Sequence, residues 1–220
     1  CNREIPCRKQ PRPTSVPMDK KAKRNSRSGQ KRAPSVRFYP LANTLIHQDM
    51  TVTGTGPKIE IFADRIEFSN PGEPVTDWNK LFGVEPRSRN ERLAMAMRKM
   101  ELCEERGSGL RRIITATNAI RLLPPEFLAS KGTTKVILHG HKREFDAMDQ
   151  NAKNRAIYQY ASLLFEEGKW LTNSLLRARF PMTGNATFKA SVALRACMNA
   201  KLIKLADDSR PNSGYLPFWA

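Results

Sequence analysis

The hydrophobic spacing of this chain switches repeatedly between helical and alternating, and those switches restrict the folds open to it. Leu41, Ala42, Leu45 and Ile46 recur at helical spacing behind Tyr39-Pro40, so a helix is expected from there to about Asp49. Val52 to Pro57 reads as a Gly/Thr loop. Ile59 and Ile61, then Arg65 to Phe68, alternate as two strands joined by a turn at Ala63-Asp64. Asn70-Pro-Gly-Glu-Pro74 breaks that pattern, and residues 75–88 read as loop. Helical spacing returns over 90–101, with Leu93, Met97 and Met100 inward. A further helix is expected over 110–122, stopped by Pro124-Pro125, and the β-branched run Thr133 to Leu138 reads as a strand.

Past a bridge over 139–151 the pattern becomes helical. An amphipathic helix is expected over 155–166, closed by Gly168. Thr172 is placed to cap a short helix over 174–180, and Pro181-Met-Thr-Gly184 to turn the chain. Asn185 or Thr187 would cap a longer helix to about Asn199. Strands are expected over 202–206 and 215–219, around a polar loop. A helix, a helix-turn-helix and a two-stranded ribbon, in that order, make a winged helix. Such modules lay the second helix of the turn in the DNA major groove.

Charge divides the 220-residue chain unevenly. Residues 1–37 carry twelve Lys/Arg against Glu4 and Asp19, so they hold +10 of the net +17. That stretch is rich in Pro and Ser and lacks periodicity, so 1–39 is expected to be a disordered basic tail. Lys20-Lys-Ala-Lys-Arg24 could touch phosphates nonspecifically or be simply solvated. Cys1, Cys7, Cys103 and Cys197 are too scattered for a disulfide framework or a CxxC site, and no apolar run suits a membrane span. The expectation is a cytoplasmic protein with nucleic acid as partner and no membrane contact.

Several short motifs occur in a fixed order. They are Ala42-Asn-Thr-Leu-Ile-His-Gln-Asp49, Ile59-Glu-Ile-Phe62, Ser69-Asn-Pro-Gly72, Arg87-Ser-Arg-Asn90 and Glu104-Glu-Arg-Gly-Ser-Gly109. Together with the stretch through Met148 to Tyr215-Leu-Pro-Phe-Trp-Ala220, this order resembles a large prokaryotic family. Its members are labelled RecG-related ATP-dependent helicases or Schlafen-AlbA-type transcriptional regulators. The resemblance covers about residues 41–220. It implies an α/β sandwich like the ATPases of the gyrase, chaperone and histidine-kinase superfamily, a mixed sheet with helices, over about 40–145. A winged helix would follow over 150–220. Family members also carry an N-terminal AlbA domain with no counterpart here, so a truncated or frame-shifted gene start is expected.

The resemblance also implies roles. Asn43 falls where the superfamily helix carries the Mg²⁺-ligating Asn, an amide oxygen being a suitable hard ligand; otherwise it is a polar residue near a helix end. The family Glu that polarises water stands four residues earlier, and here that position is Tyr39, a poor base at neutral pH. Hydrolysis is therefore expected to be inefficient. Asn70 and Gly72 fall where an adenine-binding Asp and a close-approach Gly are usual, although Asn-Pro-Gly makes an ordinary turn as well. Gly107, Ser108 and Gly109 open a helix and could hold phosphate, or could be a plain turn. Glu104, Glu105 and Arg106 read as a solvated or ion-paired edge, with Arg106 a lesser phosphate candidate.

His47 and Asp49, two residues apart, do not share a helix face and make a poor catalytic pair. His139 and His141 alternate at a strand end without further metal ligands in view. Asn90 reads first as a helix cap. In the winged helix, Thr187, Lys189, Ser191 and Arg195 are the polar positions of the recognition helix, with Arg177 and Arg179 added on the helix before. Trp170, Phe180, Leu194, Leu202, Tyr215 and Trp219 are expected in the core, and Asp207-Asp208 makes a poor basic wing.

The expected function is a nucleotide-responsive DNA-binding transcriptional regulator that takes ATP and Mg²⁺. Two copies would read a pseudo-palindrome. One alternative is a DNA-dependent ATPase, although no GxxxxGK[ST] occurs. The other is a shortened family member that binds no nucleotide.

Overall fold

Two β-hairpins dock side by side to form the sheet of the N-terminal half. β1 (Lys58–Ile61) pairs with β2 (Arg65–Pro71), and β3 (Glu126–Ser130) pairs with β4 (Thr133–His139). β2 then pairs with β4, from Arg65 opposite His139 to Pro71 opposite Thr133. The order is β1-β2-β4-β3, and every neighbouring pair is antiparallel. The sheet is therefore not mixed. β3 returns from the helical crossover but lies beyond β4, so it never meets β2. This computed structural model describes residues 38–220, apart from 76, 78, 79, 81, 83, 84, 86, 104–106, 141–143, 208, 211 and 212. The basic N-terminal stretch, Glu104, Glu105, Arg106, His141 and Asp208 thus lie outside the described residues.

α1 (Phe38–His47) and α3 (Gly109–Ala119) pack on one face of the sheet, and α2 (Glu91–Lys99) packs against α1. Alternation along β2 and β4 turns Phe68, Val136 and Leu138 toward these helices, where they bury with Tyr39 and Ile113. Ala42 and Ile46 of α1 bury against Ala94 and Met97 of α2. Met100 is not inward: α2 ends at Lys99, and Met100 is 58% exposed at the cap. Asn90 holds the cap position, yet its side chain donates to the Gln48 carbonyl (2.8 Å) and ties α2 to the end of α1.

Three helices and a ribbon complete the chain. They are α4 (Gln150–Glu166), α5 (Asn173–Arg179), α6 (Ala186–Asn199), β5 (Ile203–Leu205) and β6 (Tyr215–Pro217). Each helix opens on a side-chain cap: Asp149 accepts from Ala152 N, Thr172 from Leu175 N and Asn185 from Phe188 N. Ile157, Leu171, Leu176, Leu194 and Cys197 form the centre of their core, and burial pushes the Cys197 thiol up to about 12. Trp170 is not in it. Leu171 bridges to Tyr215 and points inward, so its neighbour Trp170 points out and is 50% exposed. Phe180 and Leu194 are buried, and Leu202, Tyr215 and Trp219 pack at the core margin.

The sheet and the C-terminal helices belong to one unit, Pro34–Ala220. Tyr158 of α4 buries with Ile114 of α3 and Phe82, and Arg155 donates to Glu126 at the start of β3 (2.9 Å). No helix among the described residues is long and apolar enough to cross a membrane.

Candidate functional site

α3 begins where α1 comes closest to it. A Cβ on Gly109 would lie 2.6 Å from Asn43 Nδ2 and 2.7 Å from Asn43 Oδ1. The Asn43 carboxamide therefore lies directly over the first residue of α3, in space that any other residue at 109 would fill. Gly107, at φ +80°, sets the turn into α3, and Ser108 occupies the cap position without a side-chain cap bond. Three residues named from the sequence, Asn43, Ser108 and Gly109, thus meet at one helix N-terminus. Such a terminus presents N–H groups and the positive end of the helix dipole.

Asn70 and Gly72 form a second corner at the end of β2. The strand runs on through Asn70 and Pro71, where a breaker was expected, because β4 supplies pairing partners as far as Thr133. Pro71 is the last paired residue, so its missing N–H costs nothing further along the ladder. Asn70 is 5% exposed, on the same face as Phe68, and its Nδ2 donates to the Pro71 carbonyl (3.2 Å). Gly72 lies at φ +101°, donates to Gly132 O (2.9 Å) and accepts from Thr134 Oγ1 (2.6 Å).

Above Gly72 sits a clasp that motif reading left unassigned. Arg89 Nη1 donates to Asp49 Oδ2 (3.0 Å), and Nη2 donates to the Glu73 carbonyl (2.7 Å). Asp49 also accepts from Thr51 Oγ1 (2.6 Å) and Thr51 N (3.0 Å), and these bonds, with Arg89 beside it, hold its carboxyl below the usual range. Asp49 is therefore engaged by Thr51 and Arg89, not by His47. Burial, and then the nearby Arg89 charge, push the His47 imidazole down.

Tyr39, which the resemblance set at the position of a base, lies in the apolar cluster with Phe68 and Ile113, with the Arg112 guanidinium 5.7 Å from its ring centre. On the other face of the sheet Glu67 accepts from Lys135 Nζ (2.7 Å) and Arg65 Nε (2.6 Å), which hold it low. Glu126 takes bonds from His139 (2.9 Å) and Arg155, which hold it low in the same way. His139 thus engages Glu126 within the described residues.

Among the described residues no three His, Cys, Asp or Glu side chains cluster as a metal cage. The carboxamide oxygen of Asn43 is a hard donor of the type that Mg²⁺ takes together with phosphate and water.

The named C-terminal residues divide in two. Thr187, Ser191 and Arg195 lie exposed along one side of α6. Lys189 does not join them: its Nζ is bonded to Asp146 Oδ2 (2.8 Å). Arg177 Nε donates to Asn173 Oδ1 (2.8 Å) and stays on α5. Arg179 turns inward. Its Nε donates to Asn118 Oδ1, and its Nη2 donates to the Asn118 carbonyl (2.8 Å) at the end of α3. Its guanidinium also stacks on Phe180, 4.6 Å from the ring centre. Burial, and then the Arg121 charge, lower its hold on the proton.

The Asp146 bonds give a pH test. Lys189, then Thr183 through Oγ1 (2.7 Å) and N (3.0 Å), hold the Asp146 carboxyl far below its usual range. A depressed carboxyl contributes stability above its unfolded value, and loses it as pH falls through the folded one. The melting-temperature gap between the native chain and Asp146→Asn should therefore stay constant from pH 8 to 5 and shrink below about pH 4. A gap that does not vary with pH would show that the charge contributes nothing.

Residues 54–138 match the family model described as "Putative ATP-dependent DNA helicase recG C-terminal". This part of the chain is an ATPase-like, RecG-related domain. The match contains Asn70, Gly72 and Gly107 to Gly109, but not Asn43 or the C-terminal helices. No curated protein matches the chain. Among solved structures, the DIP2311 protein from Corynebacterium diphtheriae is similar over 83% of this chain, at 20% identity and a TM-score of 0.46. The similarity covers 38% of that protein.

Proposed function

We propose that the chain is a nucleotide-responsive, DNA-binding transcriptional regulator that holds ATP and Mg²⁺ without hydrolysing ATP efficiently. The observation that carries this reading is the position of α3. Its first residue lies under Asn43, and its end is bonded to Arg179 of α5. Its 11 residues span about 16 Å, so one short helix links the nucleotide candidate site to α5, the helix that precedes the presumed recognition helix.

Asn43 would ligate the metal, the turn at Gly107-Ser-Gly109 would meet phosphate, and Asn70 with Gly72 would face the base. Bound nucleotide would supply negative charge at the positive end of α3. The burial of Tyr39 among apolar side chains supports binding without efficient hydrolysis.

The C-terminal helices and ribbon we read as a winged helix with α6 as its recognition helix. Charge supports this. Residues 168–206 hold seven Lys/Arg and no Asp or Glu. Two copies bound to one duplex would read a pseudo-palindrome. Gel filtration showing only monomer, on DNA and off it, would remove that part.

The test is calorimetric titration of Mg-ATP into the native chain, Asn43→Ala and Gly109→Ala. Binding near the micromolar range is expected for the native chain, with at least about tenfold loss in both variants. Alanine at 109 acts by displacing the Asn43 carboxamide, the movable end of a side chain. Absence of heat and of thermal stabilisation in the native chain would leave a DNA-binding fold with no nucleotide site.

A further inference from the structure

α6 carries two large apolar side chains on its solvent side. Phe188 is 65% exposed and Val192 is 50% exposed, and they lie four residues apart, on one face. Thr187, Ser191 and Arg195 lie exposed alongside them, and no acidic residue occurs on α5 or α6. The core of the unit is filled from the opposite side of α6 by Ala190, Ala193, Leu194 and Cys197. Nothing in the packing of the helix therefore requires a phenyl ring at position 188.

We propose that Phe188, supported by Val192, reads thymine: the ring packs on the C5-methyl group of a thymine in the major groove of duplex DNA. This inference rests on the reading of α6 as a recognition helix. Four observations carry it. Phe188 is the third residue of α6, and in helix-turn-helix modules the N-terminal residues of the recognition helix reach the base edges. The thymine methyl is the one apolar group that a base pair presents there, and Phe is among the side chains that contact it. Thr187 and Arg195, on the exposed stripe beside the ring, suit phosphate or base-edge contacts next to it. Finally, Arg195 beside the ring and the lack of any acidic residue on α5 or α6 suit DNA, the acid that meets α6, Asp146, being paired with Lys189.

Asn173 fixes the face that carries the ring. Its Nδ2 donates to the Thr187 carbonyl (3.0 Å) and to Ser191 Oγ (2.9 Å), which locks the first turns of α6 onto α5. The ring is thereby presented on a held helix.

The test uses the full chain and a random 20-base-pair duplex library. Sequences are selected at two salt concentrations with the native chain, Phe188→Ala, Phe188→Leu and Arg195→Gln. The best native duplex is then remade with deoxyuridine at each thymine in turn, which removes only the methyl group. Expected is a thymine in the selected motif whose replacement weakens native binding about three- to tenfold. The same replacement should have no effect on Phe188→Ala and an intermediate effect on Phe188→Leu. Arg195→Gln should weaken all duplexes alike and lower the salt slope by about one. Unchanged melting of Phe188→Ala, expected for an exposed side chain, separates lost recognition from lost fold.

A motif insensitive to deoxyuridine, or one that Phe188→Ala selects equally well, overturns the thymine contact and leaves the DNA reading standing. Retention of no duplex above background at either salt overturns both.

Discussion

Gly72→Ala is expected to lower stability by about 3 kcal/mol, the largest effect of any single substitution at the candidate site. Two causes act together. The backbone at φ +101° lies in a region that alanine adopts only under strain. A Cβ there would also fall 2.8 Å from Asp49 Cβ and 3.3 Å from Arg89 Cζ. Asp49 Cβ is next to the backbone and has nowhere to swing. Relief would have to come from movement of the segment after α1, which would open the Arg89–Asp49 pair and the bond from Asp49 N to the Pro71 carbonyl (2.8 Å). Urea unfolding reads this directly, as a lower midpoint at unchanged slope. The double variant Gly72→Ala with Arg89→Ala should recover little, because the strain and the Asp49 contact remain. A Gly72→Ala chain within about 0.5 kcal/mol of the native one would mean that this corner relaxes freely.

Arg179→Ala is expected to cost about 1–3 kcal/mol and to separate the two halves functionally. Arg179 lies 61 residues from Asn118 in sequence, yet two of its guanidinium nitrogens, Nε and Nη2, reach that residue. Removing it leaves the Asn118 carbonyl with the Arg121 N–H (3.1 Å) and leaves the Asn118 side chain without its α5 partner. It also removes the stacking on Phe180, a buried residue of the C-terminal core. The mechanism differs from that at Gly72. No backbone is strained, so each half should keep its own helices and sheet while the connection between them loosens. Amide exchange at the end of α3 and through α5 should quicken, and exchange in β2 and β4 should not. Arg179→Lys should not rescue, because a single ammonium cannot reproduce two directed bonds to one residue.

Local chemistry made much of the fold legible. Thr172 and Asn185 cap α5 and α6 because a short polar side chain reaches an N–H three residues on, a relation written into sequence spacing. The periodic runs of α1, α3, β1 and β4 are read in the same way. β3 was not legible. Phe127-Leu128-Ala129-Ser130 holds no β-branched residue and follows two prolines, so only its pairing with β4 makes it a strand. That strand also decides that the sheet is antiparallel. The extension of β2 through Pro71 is likewise set by its partner, not by its own residues.

The candidate site shows the same division. The motif order drew attention to Asn43 and Gly109, which the structure brings into contact. The clasp of Arg89 on Asp49 spans 40 residues, and the bonds from Arg179 to Asn118 span 61, distances at which no local pattern operates. Nothing local to Lys189 signals its bond to Asp146, which lies 43 residues away in sequence. The exposed Phe188 was equally hidden, since an aromatic in a helical pattern is ordinarily assigned to the core.

Fluorescence anisotropy of a labelled duplex tests the central claim most directly. The chain is titrated onto the DNA with Mg²⁺ alone and with Mg²⁺ plus a non-hydrolysable ATP analogue, for the native protein and for Arg179→Ala. Coupling through α3 predicts a shift of at least about fivefold in the DNA dissociation constant of the native chain, and none in the variant. Superimposable curves for the native chain, at nucleotide concentrations that calorimetry shows to be saturating, would contradict the account.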